Sequence, residues 1–433
     1  MKKLKLHWRI LIGIVLAVIC GQLSGTDTGV WGIRFYDIYD FVGTLFLNAL
    51  TMIIVPLIMA SIITGMASIG SGEDLGRLGL KTMAYYATTS LLAILVGLFF
   101  VNLMSPGISA GEPVGASLNL SLDQGTLDNV VASVEGRGGG DIARIFLRMI
   151  PTNIVAAAAE GQMLGLIFFS LVFGYFMMRT PHKYRDTLHD FWRGVAETMM
   201  RVTMWIMSFA PYGVFGLVAK TVAGTGFAAF LPMLWFFVTV MLALAFHTVV
   251  TLPLLLKFVG RVSPLAHFRA MSPAMLTAFS TASSSATLPL TMECVEKNAG
   301  VSEKTTSFVL PLGATINMDG TALYECVAAI FLAQAYGLEM TFVTQFTVVL
   351  LALLTSIGVA GIPAASLVAI TVILSAIGLP VEALGLLLVT DRILDMCRTA
   401  INVFSDSCGA VIIASSEGEQ GILTRPRTGD MLT

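Results

Sequence analysis

Apolar runs of about 20 residues, the length that carries a helix across hydrocarbon, recur at 9–24, 41–69, 82–104, 154–178, 196–219 and 229–256. Each predicts a membrane-spanning helix. The first follows Met1-Lys2-Lys3-Leu4-Lys5 and Trp8-Arg9, a layout shared with signal peptides. No small-residue cleavage site stands out after Cys20 and many spans follow, so a retained first helix is expected. Past residue 260 the rhythm fails. Between Lys304 and Arg392 there is no Lys or Arg, yet the stretch is far too long for one span, and polar or helix-breaking clusters interrupt it. Lipid does not tolerate irregular backbone unless protein or a water-filled cavity satisfies its polar groups. Broken helices and re-entrant hairpins are the usual solution, and they mark transport sites.

Positive loops stay on the cytoplasmic side. Lys2, Lys3, Lys5 and Arg9, then Arg77 with Lys81, Arg179 with Lys183 and Arg185, and Lys257 with Arg261 fall at every second loop, which puts the N-terminus inside. The longest loop, 105–144, is Gly/Ser-rich and acidic (Glu112, Asp123, Asp128, Glu135, Asp141) and reads as external, with a linker-like centre at Gly136–Gly140. Composition agrees with a membrane location: 56% of the 433 residues are hydrophobic and 12% charged, against roughly 25% charge in soluble chains. Mean hydropathy is +0.84. A soluble enzyme, a disordered chain and a collagen are excluded. The net charge of −2 leaves no basic field for nucleic acid. Cys20, Cys294, Cys326, Cys397 and Cys408 lie in apolar stretches without metal-ligand or paired-framework spacing.

Four polar interruptions carry the candidate chemistry. The first, Ser280-Thr281-Ala282-Ser283-Ser284-Ser285-Ala286-Thr287-Leu288-Pro289, offers hydroxyls and, at a helix terminus, free N–H groups. Taken alone, a surface loop between two short helices is the better reading of such a run. The second, Gly313-Ala314-Thr315-Ile316-Asn317-Met318-Asp319-Gly320-Thr321, breaks a span whose flanks are apolar on both sides. A carboxylate at that depth is expensive unless protonated or met by a cation. Exposed carbonyls beside it are hard oxygen ligands suited to a small cation. Glu325, six residues further on, has no cation nearby in sequence. It reads equally as a proton carrier or as an interfacial glutamate.

The third interruption, Ser356-Ile357-Gly358-Val359-Ala360-Gly361-Ile362-Pro363-Ala364-Ala365-Ser366, lies between apolar arms 341–355 and 367–380 and predicts a hairpin entering from outside rather than one kinked helix. The fourth runs from Asp391 to Asp406. At 100° per residue, Asp391, Asp395, Arg398, Asn402 and Asp406 fall within an arc of roughly 80°. The opposite face, with Ile393, Met396, Ala400 and Val403, is apolar. Such a stripe needs partners inside a bundle. The planar fork of Arg398 matches a carboxylate in two bonds. Asp395 is the natural partner of an ammonium, and together the two describe an amino-acid site.

Asn317-Met318-Asp319-Gly320-Thr321, Ser283-Ser284-Ser285-Ala286-Thr287-Leu288-Pro289 and Asp395-Met396-Cys397-Arg398-Thr399…Asn402-Val403 together resemble the dicarboxylate/amino acid:cation symporters, the glutamate and aspartate transporters. Ile150-Pro151-Thr152-Asn153 and Ala210-Pro211-Tyr212-Gly213-Val214-Phe215-Gly216 extend the resemblance over essentially the whole chain. The family fold implies an all-α polytopic protein with eight transmembrane helices and two re-entrant hairpins, assembled as a homotrimer and working as an elevator. It further implies scaffold helices near 8–70 and 150–220, and a transport domain near 79–104 and 228–420. Hairpin one is then near 263–296 and hairpin two near 340–380. A multi-pass protein of the cell (inner) membrane with both termini cytoplasmic follows.

By resemblance, Arg398 holds the substrate side-chain carboxylate and Asp395 its amino group. Thr321, Asn402, Thr399, Ser284, Ser285 and the hairpin backbone Ile362, Pro363 and Ala364 complete that site. Tyr86, Thr89 and Ser90 with Asn317 and Asp319 resemble one sodium site, and Gly313, Asn317, Asn402 and Asp406 a second. Thr315, Met318 and the carbonyls of Ser356, Ile357 and Val359 resemble a third. Glu325 stands where proton-coupled relatives have an acidic residue, so H+ transport beside Na+ is expected. Ala282 and Met396 stand where some relatives carry arginine, which leaves potassium counter-transport unassigned.

The resemblance and the stripe point to a symporter of L-glutamate and/or L-aspartate, not an enzyme. A C4-dicarboxylate:cation symporter is the alternative and leaves Asp395 without an ammonium partner. A neutral-amino-acid carrier leaves Arg398 without an anion. An intramembrane aspartyl protease lacks its Gly-x-Gly-Asp sequence, and a channel fits internal hairpins less well than alternating access does.

Overall fold

The computed structural model describes residues 6–67, 73–115, 147, 150–160, 162–226, 230–338, 340–358, 365–380 and 383–423. The first helices are α1 (Leu6–Ser24), α2 (Phe35–Met52), α3 (Ile54–Ala67) and α4 (Glu73–Met104). Next come α5 (Ile154–Ala159), α6 (Met163–Met177), α7 (His182–Ser208), α8 (Ala210–Thr225), α9 (Phe230–Phe246) and α10 (Leu252–Phe258). The remainder are α11 (Pro264–Thr281), α12 (Ser284–Glu293), α13 (Glu303–Ile316), α14 (Asp319–Ala335), α15 (Phe342–Gly358), α16 (Ala365–Ile377) and α17 (Leu384–Ser416). Two-residue strands form antiparallel hairpins at Gly29–Val30 with Ile33–Arg34 and at Ile108–Ser109 with Glu112–Pro113.

Several apolar runs are divided where backbone hydrogen bonding fails. The run 41–69 becomes α2 and α3. Pro56 has no N–H to give the carbonyl of Met52, and the ladder stops at Ile53. The run 196–219 becomes α7 and α8, bent by 55° around Phe209, with Pro211 at the start of α8. Residues 154–178 become α5 and α6, separated by the polar Glu160-Gly161-Gln162. Among the described residues, Arg77–Met104, Leu231–Phe258 and Glu303–Ala335 are long and apolar enough to cross a membrane, and the bent α7–α8 pair adds a fourth if taken as one span. Shorter apolar helices include Ile12–Ser24, Val55–Met66, Gly165–Met177 and Phe342–Ser356.

Packing follows the pattern of small and large residues. α1 lies along α8, which also packs on α2. Gly13 and Gly21 permit that approach, since a Cβ there would meet Pro211 O at 2.8 Å and Ala219 O at 2.6 Å. α3 packs on α6 and α7, α4 on α14, and α11 on α17. Large apolar side chains such as Val15, Leu23, Phe41, Phe99, Trp205 and Leu231 face outward, the inverse of a water-soluble surface. The least exposed element is α14, in which every residue from Asp319 to Ala335 is buried. Much of the loop 105–144, the tip 359–364 and both chain ends fall outside the described residues.

Two large hydrophobic clusters make up most of the interior among the described residues. The larger includes Ile94 of α4, Leu244 of α9, Leu323 of α14 and Leu394 of α17. The smaller includes Tyr86 of α4, Leu252 of α10, Ile316 of α13 and Phe404 of α17. Four chain segments therefore pass from one cluster into the other. Polar residues stand at each crossing.

Candidate functional site

The crossings are Thr89-Ser90 on α4, His247 between α9 and α10, Asn317–Thr321 between α13 and α14, and Asn402 to Asp406 on α17. At the third, Asn317 is extended (φ −106°, ψ 97°), and Met318 (φ −123°, ψ 61°) leads into α14. The helical ladder is thus broken at mid-span. His247 opens a single π turn, His247–Thr251, that precedes Pro253. Such bulges add a residue to a helix and turn a side chain inward, often at functional sites.

Asp319 is fully buried and lies at the centre. Its Oδ1 accepts from Ser90 Oγ (2.8 Å), and its Oδ2 accepts from Ser405 Oγ (2.5 Å) and lies 3.3 Å from His247 Nε2. Asn317 Nδ2 donates to Asp406 Oδ1 (2.9 Å) and Ser405 Oγ (3.2 Å). Asn317 Oδ1 accepts from Thr89 Oγ1 (3.3 Å) and Ser90 Oγ (3.4 Å). Tyr86 OH donates to Val309 O (2.7 Å). Asp406, Gly313 and Tyr86 meet so closely that a Cβ on Gly313 would lie 2.6 Å from Asp406 Oδ1 and from Tyr86 OH. Asn402 Oδ1 accepts from Gly320 N (2.8 Å), and its Nδ2 donates to Thr321 Oγ1 (3.1 Å). The donor set is carboxylate, amide and hydroxyl oxygen, the chemistry of a hard cation.

Arg398 is buried nearby on α17. Its Nη2 donates to Asp391 Oδ1 (3.0 Å) and Asp395 Oδ1 (3.1 Å), and its guanidinium carbon stands 3.8 Å over the Tyr324 ring. Its Nε and Nη1 are buried without a hydrogen-bond partner. Asp395 Oδ2 accepts from Arg392 Nη1 at 3.3 Å, and Thr399 Oγ1 donates to Asp395 O at 2.8 Å. Glu325 is fully buried on α14. Its Oε2 accepts from Thr355 Oγ1 of α15 (2.8 Å), and its Oε1 has no partner.

The serine-rich run forms two helices, α11 and α12, joined through Ala282 in the left-handed region (φ 49°) and Ser283, whose side chain caps α12 by accepting from Ala286 N. Ser284 is buried, Ser285 is exposed, and α12 packs on α17. The run is thus a tight connection between two helices, with Ser284 and Thr287 buried and Ser280, Thr281 and Ser285 exposed. Thr315 Oγ1 bonds back to Leu312 O at 2.9 Å, Met318 and Ser356 are buried, and α13 packs on α15. Ile357 lies within α15, whereas Val359, Ile362, Pro363 and Ala364 lie outside the described residues.

Asp391, His247, Ser405 and Thr355 are among the residues of this region absent from the sequence-based site. Asp391 shared the polar stripe seven residues before Arg398, so its pairing was legible as an i, i+7 contact. His247 was visible as an ionisable residue inside a span. Ser405 and Thr355 carried no signal.

The chain matches the sodium:dicarboxylate symporter family over residues 6–416. It is 35% identical to a proton/glutamate-aspartate symporter of Escherichia coli (strain K12) over 417 residues, covering 96% of this chain and 93% of that protein. It is 35% identical to a proton/sodium-glutamate symport protein of Geobacillus stearothermophilus, covering 97% of this chain and 96% of the relative. It is also 34% identical to excitatory amino acid transporter 3 of Mus musculus, covering 95% and 86% respectively. The residues of the buried polar layer, from Thr89 to Asp406, all lie within the matched region, and the chain belongs to the sodium:dicarboxylate symporter family, whose members are transporters and not enzymes.

Proposed function

We propose that this protein imports L-glutamate and/or L-aspartate as a secondary active symporter driven by Na+ and H+ gradients. The observation that carries the reading is the guanidinium of Arg398. One nitrogen is held by Asp391 and Asp395, while Nε and Nη1 are buried and unpartnered. Buried guanidinium N–H donors left free call for an anion, and a substrate carboxylate supplies one. Asp395 then turns from Arg398 to the substrate ammonium, with Thr321, Thr399 and Asn402 beside it. The relatives named for glutamate, aspartate and sodium or proton symport support the same substrate and ions.

Cations are cargo in this reading. Na+ takes its place among Thr89, Ser90, Asn317 and Asp319, with Tyr86 adjacent, and a second ion lies among Gly313, Asn317, Asn402 and Asp406. Each ion offsets the cost of a buried carboxylate, so ion occupancy and substrate closure become one linked event. A third site needs Thr315 and Met318 with hairpin carbonyls of Ser356, Ile357 and Val359. Glu325, bonded on one oxygen only, carries the proton.

The chain crosses a cell (inner) membrane eight times with both termini cytoplasmic, and α11–α12 and α15–α16 are the re-entrant hairpins. The packing of α1, α2, α3, α6, α7 and α8 among themselves supports a trimeric scaffold. Against it α4 and α9–α17 move as an elevator. A second reading, C4-dicarboxylate symport, is favoured by Arg392, which lies on the same helix with its Nε unpartnered and offers a second cation for a second carboxylate.

Proteoliposome uptake of labelled aspartate, glutamate and succinate, with Na+ and H+ gradients imposed separately, tests both readings. Uptake of either amino acid under an inward Na+ gradient is expected. Uptake of succinate alone overturns the role of Asp395. Uptake indifferent to both gradients overturns symport.

A further inference from the structure

We propose that Ser405 is a positioning residue for cation coupling, setting Na+ affinity by fixing Asn317 and Asp319 so that one oxygen of each turns to the same point. The inference rests on the symporter reading above. Ser405 is fully buried on α17 and is distinct from the ion ligands expected from the sequence.

A hydroxyl has one hydrogen to give and lone pairs to receive. Ser405 gives its hydrogen to Asp319 Oδ2 at 2.5 Å and receives from Asn317 Nδ2 at 3.2 Å. The amide's second hydrogen goes to Asp406 Oδ1 at 2.9 Å. Both hydrogens of Asn317 are therefore held by adjacent residues of α17, and the plane of its amide is fixed. Its Oδ1 must then turn the other way, toward Thr89 and Ser90 on α4, at 3.3 and 3.4 Å.

Asp319 is held in the same manner. Oδ2 is committed to Ser405 and to His247 Nε2, which leaves Oδ1 on the side of Ser90 Oγ, 2.8 Å away. Ser90 Oγ thus lies beside both Asn317 Oδ1 and Asp319 Oδ1. The oxygens available to a cation converge there, while the amide hydrogens that would repel it are turned toward Ser405 and Asp406 and the competing Oδ2 toward Ser405. His247 steadies the carboxylate alone. Ser405 touches both ligands, so its hydroxyl ties the orientation of one to the other.

Removing the hydroxyl leaves Asn317 with one anchor and Asp319 Oδ2 with only the longer contact to His247. Ligand orientation then has to be gained at the moment of ion binding. Loss of one charge-assisted hydrogen bond corresponds to roughly a 10- to 100-fold change in the equilibrium it supports. The test is Na+-dependent aspartate uptake by the purified full-length protein in proteoliposomes, comparing wild type with Ser405→Ala and Ser405→Thr.

S405A is expected to raise half-saturating Na+ by about 10- to 100-fold, while the maximal rate at saturating Na+ stays nearer to wild type. S405T, which keeps the hydroxyl, is expected to recover most of the shift. A purely structural role would instead lower the maximal rate and leave the Na+ curve in place. Superimposable Na+ curves for S405A and wild type overturn the proposal, as does S405T behaving like S405A. If S405A is not recovered folded, Ser405→Cys, a weaker donor, must give an intermediate shift, and an unshifted curve again overturns the idea. A wild-type protein without Na+ dependence defeats the symporter reading itself, a result separable from any difference among the variants.

Discussion

Gly313→Ala is the sharpest perturbation of the proposed second cation site. The added methyl carbon would stand 2.6 Å from Asp406 Oδ1, 2.6 Å from Tyr86 OH and 2.7 Å from Asp406 Cγ. Carbon–carbon contacts settle near 3.5–4.0 Å, so the Asp406 carboxyl must retreat by about 1 Å. It has little freedom to do so, because Oδ1 accepts from Asn317 Nδ2 at 2.9 Å and Tyr86 is tied to Val309 O at 2.7 Å. Overpacking of this kind costs about 1–3 kcal/mol. Placed on the ion-bound state at 1.4 kcal/mol per tenfold, that raises half-saturating Na+ by about 5- to 150-fold. Na+ titration of aspartate uptake in proteoliposomes reads the shift. Gly194→Ala on α7 is the control: its Cβ meets nothing within 4 Å, and the change should add up to ~1 kcal/mol of helix preference with uptake unaltered. A G313A protein with a wild-type Na+ curve refutes the close contact between Gly313 and an ion-binding Asp406.

Arg398→Lys keeps the charge that Asp391 and Asp395 require but loses the fork. The KM for acidic substrate should rise by about 10- to 100-fold, and unchanged aspartate affinity contradicts the carboxylate role. Glu325→Gln should flatten the pH dependence of uptake while Na+ dependence persists, and a wild-type pH profile removes Glu325 as the proton carrier. Past the end of α17, the hydrogen bond from Lys81, then that from Arg77, holds the Glu417 carboxyl below its ordinary 4.5. Its folded value is depressed, so its stabilisation is present above about pH 4.5 and is lost as pH falls through the folded value. For so exposed a pair of cations the effect is ~0.2–1 kcal/mol. Thermal unfolding in detergent from pH 7 down to about pH 3, through the range below 4.5 where the loss falls, should show a loss in wild type that Glu417→Gln lacks, and parallel curves sink the prediction.

Hydrophobic runs located most helices because length and polarity are local properties. The divisions within them were not legible: Pro56 and Pro211 act through a carbonyl four residues back, and a run of apolar letters hides that dependence. Asn317 and Asp319 announced themselves by their cost in apolar surroundings, and the stripe from Asp391 to Asp406 by its helical period. Ser405 fell outside both signals. A small hydroxyl costs little to place in a helix, and its importance appears only when Asn317 and Asp319, some ninety residues earlier, are folded against it. Likewise Thr355 acquires meaning from Glu325, which sits on a different helix. Pairings between distant elements were the missing information.

The burial of α14 on all sides has a mechanical consequence. A rod enclosed around its whole circumference has no open flank along which to slip or roll, so Asp319 at its head cannot move away from the polar layer through a private motion of its own helix. Any release from that layer would have to come from the surrounding helices parting from it.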